Sequence, residues 1–527
     1  MKFFLKSFLF LILCGCQKSI EKDKRNVLFI IVDDLKPLLG SYGYPEIISP
    51  NIDRLASDGV LFSNAYAQQA ICTASRMSFL TGKRPDYTKI WDLQTKLRDV
   101  RPEIKTIPQY FKENGYQSVG MGKVMHGARD NDPISWTMPF ITNENFEYAD
   151  GFKMPANLYQ SPEIHKKWDS LQRALDENPS ADRGWFAVNS IMKSSNLRPL
   201  TESLDVPDNA YADGASALKT IELLKDFNDK KDNFFLTVGF QKPHLPFTPP
   251  KRYWDMYDRE KINLAKFQKK SEGSPNEAYH FSGELRNYHD TEPNMNKNGI
   301  LNDKKQKEII HGYMASVSYI DAQVGKILDY LDSSGMSENT VIVFFGDHGW
   351  HLGDHGLWNK HSNFEEATRT PLIFKSPDIK GGFINNSPVE LIDIFPTVCK
   401  LAGIPAPDYL DGISLFPMLK RNSKNLKKFA ISQYPRRCNV MRSVIGRYPD
   451  DCTLMGYAVR NDRYRYIAWV SGNFEERVNF NDNDILMEEL YDYEIDPLET
   501  FSFASDSSYI KIKDVMIRDL RSIIWEN

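Results

Sequence analysis

Short uninterrupted apolar runs that stop abruptly at polar residues recur along the chain. Val27 to Val32 runs into Asp33-Asp34, Phe234 to Phe240 into Lys242-Pro243-His244, and Val341 to Phe345 into Gly346-Asp347-His348. A shorter one, Gln117 to Val119, leads to Gly120-Met121-Gly122-Lys123, with His126 just beyond. A strand with one wet face alternates apolar and polar residues, so runs without alternation predict strands covered on both faces. Helical periodicity fills the gaps. It is clearest over about 306 to 332, where Val317, Ile320, Val324, Ile327, Leu328 and Leu331 share one stripe and Gly335 stops it. The pattern predicts an α/β fold with a large central, mostly parallel sheet flanked by helices. Ligands of such sheets gather beyond the carboxyl ends of the strands. One polar ending is an ordinary turn or helix cap; four together predict a shared site.

The pattern changes after residue 437. Val459, Tyr464, Tyr466, Ala468 and Val470 read as β-rich, Leu490-Tyr491-Asp492 follows, and 508 to 525 is helical with Ile512, Met516, Leu520 and Ile523-Ile524 on one face. This predicts a small C-terminal antiparallel sheet with one packed helix, residues 438–527, beside a larger domain at 26–437. Two stretches rich in Asn, Asp, Ser, Lys and Pro, near 128 to 210 and 251 to 303, read as long insertions over the sheet edge.

The first residues form a different pattern again. Lys2 and Lys6 precede an apolar run from Phe8 to Leu13 that is far shorter than the roughly 20 residues of a spanning helix. Residues 1–16 read as a signal peptide. The closing Leu13-Cys14-Gly15-Cys16 resembles a bacterial lipobox, which implies lipidation at Cys16, with 17–25 as a polar tether. A plain secretory signal is the alternative. The expected location is therefore outside the cytoplasm, on a lipid anchor in a bacterial membrane, facing the periplasm or the cell surface. Export also changes how cysteines are read. Cys399 lies in an apolar helical pattern and reads as core; Cys438 and Cys452 are spaced to allow a disulfide worth ~3 kcal/mol, which sequence does not decide.

Composition narrows the partners. Across 527 residues, Lys and Arg number 66 against 70 Asp and Glu, a net charge of -4, so no global basic field exists to hold nucleic acid. An anionic substrate would have to be gripped by a local cluster.

Cys72 is the cysteine with unusual neighbours. Cys72-Thr73-Ala74-Ser75-Arg76, followed by Leu80-Thr81-Gly82, resembles the signature of the type I sulfatases, and six fixed letters match by chance with odds of roughly 10⁻⁵. Further stretches are similar to the branch of that family containing iduronate-2-sulfatase and bacterial polysaccharide sulfatases. They include Gly82 to Asp86, Gly122 to His126, Lys242 to Phe247, Asp347 to Trp350, Leu352 to Gly356, Lys360 to Phe364, Gln433 to Arg436 and Met455 to Tyr457. The resemblance covers nearly the whole chain after the tether and implies an alkaline-phosphatase-like fold.

It also implies a chemistry. Cys72 would be oxidised to formylglycine by a formylglycine-generating or equivalent maturing enzyme, and Ala74 stands where proline is commoner. Asp33, Asp34, Cys72, Asp347 and His348 would form the metal set, with calcium the expected ion. His348 departs from the commoner asparagine, and imidazole suits softer metals better. Arg76 would orient the hydrated aldehyde; Lys123, Lys242 and Lys360 would neutralise sulfate oxygens. His244 would protonate the leaving sugar oxygen, and His126 would take the proton that lets sulfate depart. The implied substrate is a sulfated oligo- or polysaccharide, of the 2-O-sulfated uronate type or the algal ulvan and carrageenan type. The competing expectations are a phosphonate monoester or phosphodiester hydrolase and a non-catalytic glycan-binding lipoprotein.

Overall fold

The structure, a computed structural model, describes residues 24–126, 131–178, 180, 182, 184–421, 426–436, 454–472 and 482–524. Residues 1–23, with Cys16, and also Cys438 and Cys452 lie outside the described residues.

The catalytic part is built on β1 (Asn26–Val32), β2 (Val60–Tyr66), β3 (Gln117–Gly122), β4 (Phe234–Phe240), β5 (Thr340–Gly346), β6 (His351–Leu352), β7 (Trp358–Asn359), β8 (Arg369–Lys375), β9 (Phe383–Asn385) and β10 (Val389–Glu390). Eight of these form one sheet in the order β10-β2-β8-β5-β1-β4-β3, with β9 also paired to β2; β6 and β7 form a separate short hairpin. Only β8 runs against the others, pairing antiparallel with both β2 and β5.

The apolar runs explain themselves once the two cores are traced. On β1, Leu28, Ile30 and Val32 enter one core while Val27, Phe29 and Ile31 enter the other. On β5, Ile342 and Phe344 are divided from Val341, Val343 and Phe345 in the same way. Successive side chains alternate faces, and here both faces are dry. Each buried Val, Ile, Leu or Phe contributes ~1.5–3 kcal/mol relative to exposure.

The predicted helix spans Asp303–Ser333, about 46 Å at 1.5 Å per residue. Asn302 caps it by accepting from the Lys305 N–H. Its Tyr313 reaches the carboxyl end of β1, where the hydroxyl donates to Asp34 O at 2.8 Å and accepts from Lys36 N–H at 2.9 Å. A core helix thus fixes the turn that carries Asp33 and Asp34.

The second sheet is an antiparallel meander of β11 (Ala430–Arg436), β12 (Leu454–Arg460), β13 (Tyr464–Ser471) and β14 (Ile485–Asp492). Its first strand precedes residue 438. The helix Ile510–Ile524 covers one face through Met516 and Leu520. The opposite face, with Leu454, Ala458, Ile467 and Trp469, packs on Leu357 and Phe364, which flank Lys360 in sequence. Within the first insertion, helices Pro162–Glu177 and Trp185–Ser194 pack around Tyr159, Ile164, Met192 and Leu197. Cys399 is a buried free thiol. Among the described residues no helix is long and apolar enough to cross a membrane.

Candidate active site

Parallel pairing puts the polar endings side by side. Val32 stands opposite Phe240 on one neighbour and Gly346 on the other, and Gly122 stands opposite Gly239. The ladder continues past the strands, with Asp33 N–H donating to Phe240 O and Asp347 N–H to Val32 O. Gly122, at φ 68°, lets β3 close on β4: a Cβ there would stand 2.3 Å from Gly239 O. Lys123 N–H then donates to that same carbonyl at 2.7 Å. Asp34 adopts φ 61°, a left-handed conformation that costs a non-glycine residue ~1–2 kcal/mol. Its backbone N–H donates to Asp347 Oδ1 at 3.0 Å, which ties the two acidic turns together.

The helix Cys72–Thr81 accounts for the motif letter by letter. Cys72 is its first residue, so it sits where unpaired N–H groups and the helix dipole favour negative charge. Ser75 donates its hydroxyl to Asp347 O. Arg76 pairs with Asp33 Oδ1 at 2.7 Å and Asp347 Oδ2 at 3.0 Å, and donates to the carbonyls of Lys123 and Val124. Leu80 is core, Thr81 bonds back to Met77 O, and Gly82 ends the helix in the left-handed region at φ 67°.

The cage and its rim are out of water: Asp33, Asp34, Arg76, Asp347 and His348 are fully buried and Cys72 is 1% exposed. Ligand atoms of Asp34, Cys72 and His348 lie within 4.8 Å of one another, as do those of Asp33, Cys72 and Asp347. Asp33 Oδ2 and Asp347 Oδ2 are buried without a hydrogen bond; the second meets Arg76 only as an ion pair. His348 Nδ1 lies 3.0 Å from Gly349 O. A carbonyl can only accept, so Nδ1 carries the hydrogen. That leaves Nε2, itself unpartnered, 3.5 Å from Asp34 Oδ1 and Asp347 Oδ2. Buried carboxylate oxygens converging on an imidazole nitrogen form a donor set that fits a divalent cation.

The electrostatics separate the acids. Burial raises both carboxyls, but Lys123 and Arg76 outweigh it at Asp33 and hold that group well below the usual range, whereas Asp34 stays well above it. Burial, then Asp33, pushes the Cys72 thiol well above its ordinary value, so at neutral pH it is a poor nucleophile.

Around the cage stand the cations and histidines. Lys123 Nζ is 3.4 Å from Asp33, and Lys360 Nζ is 3.0 and 3.1 Å from the two oxygens of Asp34. His244 Nε2 is 3.8 Å from Asp34. His126 follows the β3 turn, its Nδ1 buried without a partner, and burial plus Lys123 hold its pKa well below the usual imidazole value. Lys242 donates its ammonium to the carbonyls of His244 at 2.9 Å and Pro246 at 2.6 Å, bracing the loop that carries His244.

Three residues absent from the sequence reading complete the arrangement. Asp213 accepts from the N–H groups of Gln241 and Lys242 and fixes the exit of β4. Tyr313 braces the Asp33-Asp34 turn. Glu284 bridges Lys360, His244 and His361 at 3.1, 2.9 and 3.4 Å. Asp213, in the first turn of a helix, gave the one local signal among them.

A strand-edge cage of carboxylates around a helix-borne cysteine, rimmed by lysines and histidines, defines a hydrolase site for anionic esters. A sulfatase family model matches residues 25–404, and one described as N-sulphoglucosamine sulphohydrolase, C-terminal, matches residues 353–525. The chain is 35% identical to human iduronate 2-sulfatase, with 93% of each chain covered. Among solved structures, a protein in complex with its substrate D-glucosamine-2-N,6-O-disulfate is similar at TM-score 0.68 and 20% identity, covering 95% of this chain and 97% of that one. A phosphonate monoester hydrolase of Agrobacterium radiobacter is similar at TM-score 0.65 and 21% identity, covering 95% of each. The chain belongs to the type I sulfatase family and is a sulfuric ester hydrolase.

Proposed function

We propose that this enzyme removes sulfate from a sulfated carbohydrate, a 2-O-sulfated uronate being the nearest candidate, with Cys72 converted to formylglycine and calcium held by Asp33, Asp34, Asp347, His348 and the converted side chain at position 72. The carrying observation is that Cys72 Sγ belongs to two of the three groups of potential ligands among the described residues, in a cage where Asp33 Oδ2 and Asp347 Oδ2 accept no hydrogen bond. A bound divalent cation supplies Lewis-acid charge at a sulfate oxygen and lowers the pKa of an adjacent hydroxyl. The hydrated aldehyde supplies an oxygen nucleophile that a buried, protonated thiol does not.

The chain's own residues do the rest. Arg76, locked between Asp33 and Asp347, orients the side chain at position 72. Lys123 and Lys360 face the growing charge on the sulfate, in a site dry enough for that charge to count. His244 donates a proton to the departing sugar oxygen. His126, held neutral by burial and Lys123, accepts the proton whose removal releases sulfate. The 35% identity to human iduronate 2-sulfatase supports the uronate; the Leu13-Cys14-Gly15-Cys16 motif supports an exported, lipid-anchored enzyme.

Peptide mass mapping of enzyme co-expressed with a sulfatase-maturing enzyme tests the reading, together with turnover of matched aryl sulfate, phosphate and phosphonate esters. An aldehyde at position 72 and preferred sulfate turnover are expected. A free thiol in fully active protein would sink the nucleophile, and phosphonate turnover ahead of sulfate would sink the substrate.

A further inference from the structure

Glu284 lies outside the cation cage yet touches the groups assigned to the ester. Its Oε1 is 2.9 Å from His244 Nε2 and 3.1 Å from Lys360 Nζ, and its Oε2 is 3.4 Å from His361 Nε2. The loop that carries it is pinned: Leu285 is buried in the main core, and its N–H donates to the Asn359 side chain at 3.2 Å. Each partner is gripped from its other side as well. Lys360 is held by Asp34, so its ammonium is fixed between two carboxylates. His244 Nδ1 lies 2.7 Å from Leu245 O and therefore carries a hydrogen; a carboxylate also only accepts, so the Glu284 contact puts a second hydrogen on Nε2, the one that faces the pit. His361 Nδ1 is 2.7 Å from the Tyr434 hydroxyl on β11. A single carboxylate thus ties together three side chains that come from the loop after β4 and from the segment after β7.

We propose that Glu284 is a positioning residue for ester cleavage, holding the His244 imidazole and the Lys360 ammonium as one unit on the leaving-group side of the pit. The proposal rests on the sulfatase reading with His244 as proton donor. A poor leaving group needs that proton in the transition state and an activated aryl group needs it far less. A misaligned His244 therefore hurts sugar esters selectively, whereas a purely structural role for Glu284 hurts all substrates alike.

The test is Glu284→Gln in the full chain, produced with the maturing enzyme, with kcat and KM measured on a sulfated uronate disaccharide and on nitrophenyl sulfate. The expected result is a kcat loss on the sugar ester that exceeds the loss on the aryl ester ~10-fold or more, with KM changing far less. Equal losses on the two substrates overturn the proposal. Should the Gln variant fail to fold, Glu284→Asp, which keeps the charge and loses the reach, is judged by the same criterion. A parent enzyme with no sulfate turnover refutes the sulfatase reading instead, so the two failures are distinguishable.

Discussion

Replacing Arg76 by methionine isolates the electrostatic core of the site. Methionine retains the apolar stem and volume but removes a fully buried guanidinium that pairs with Asp33 at 2.7 Å and Asp347 at 3.0 Å and serves two backbone carbonyls. Burial opposes the Arg76 charge, but Asp347 and Asp33 outweigh it, so the cation is bound more tightly than in water. Breaking a buried pair from one side costs about 3–5 kcal/mol, because the other charge is left uncompensated. An unfolding entropy of ~2.1 cal/mol/K per residue, over a chain of this length, makes 1 kcal/mol worth about 1 °C. The expected fall in Tm is therefore ~3–5 °C. Differential scanning calorimetry in chelator gives the deficit directly. Adding a divalent cation is expected to narrow it, because the cation neutralises the same two carboxylates. Arg76→Lys should fall between the parent and Arg76→Met, since a point charge on a flexible stem replaces only part of a planar fork. A methionine variant melting within about 1 °C of the parent in chelator would refute the reasoning.

Two further outcomes are expected. In parent protein a divalent cation should raise Tm by mass action, by ~2.7 kcal/mol of stability at a hundredfold excess over Kd, and Asp33→Asn should erase that rise along with activity. An undiminished rise in the variant would remove Asp33 from the cage. Stability should also decline in mild acid: burial pushes His280 and His351 well below the usual imidazole range and His361 down to about 4. The unfolded chain binds these protons below pH ~6.5 while the folded chain refuses them, so the contribution is complete above that value and is lost as pH falls towards the folded pKa. Urea midpoints measured across that window should drop steadily; a flat or rising profile would count against histidines held neutral by the fold.

The strand endings were legible because both faces of β1, β4 and β5 are dry, which strips the alternation from the sequence and leaves solid apolar runs. The Cys72 segment was legible because each fixed letter performs a separate structural task on one short helix. Other features had no such trace. The reversal of β8 depends on its neighbours, not on its composition. Glu284 lies in an irregular stretch with neither a period nor a motif, and only the fold brings it to His244. Lys242 reads in sequence as a sulfate contact beside a matched histidine, and only the fold shows that two of its three donors brace carbonyls of its own loop.

Tyr434 and Arg436 on β11 have a consequence for how the enzyme can be cut. Tyr434 bonds to His361, and Arg436 donates to the carbonyls of His361 and Glu277. The small meander therefore supplies a wall of the reaction chamber. A shortened version keeping only the large sheet would lack the brace behind its leaving-group machinery, and exchanging the meander for a relative's would retune catalysis along with architecture.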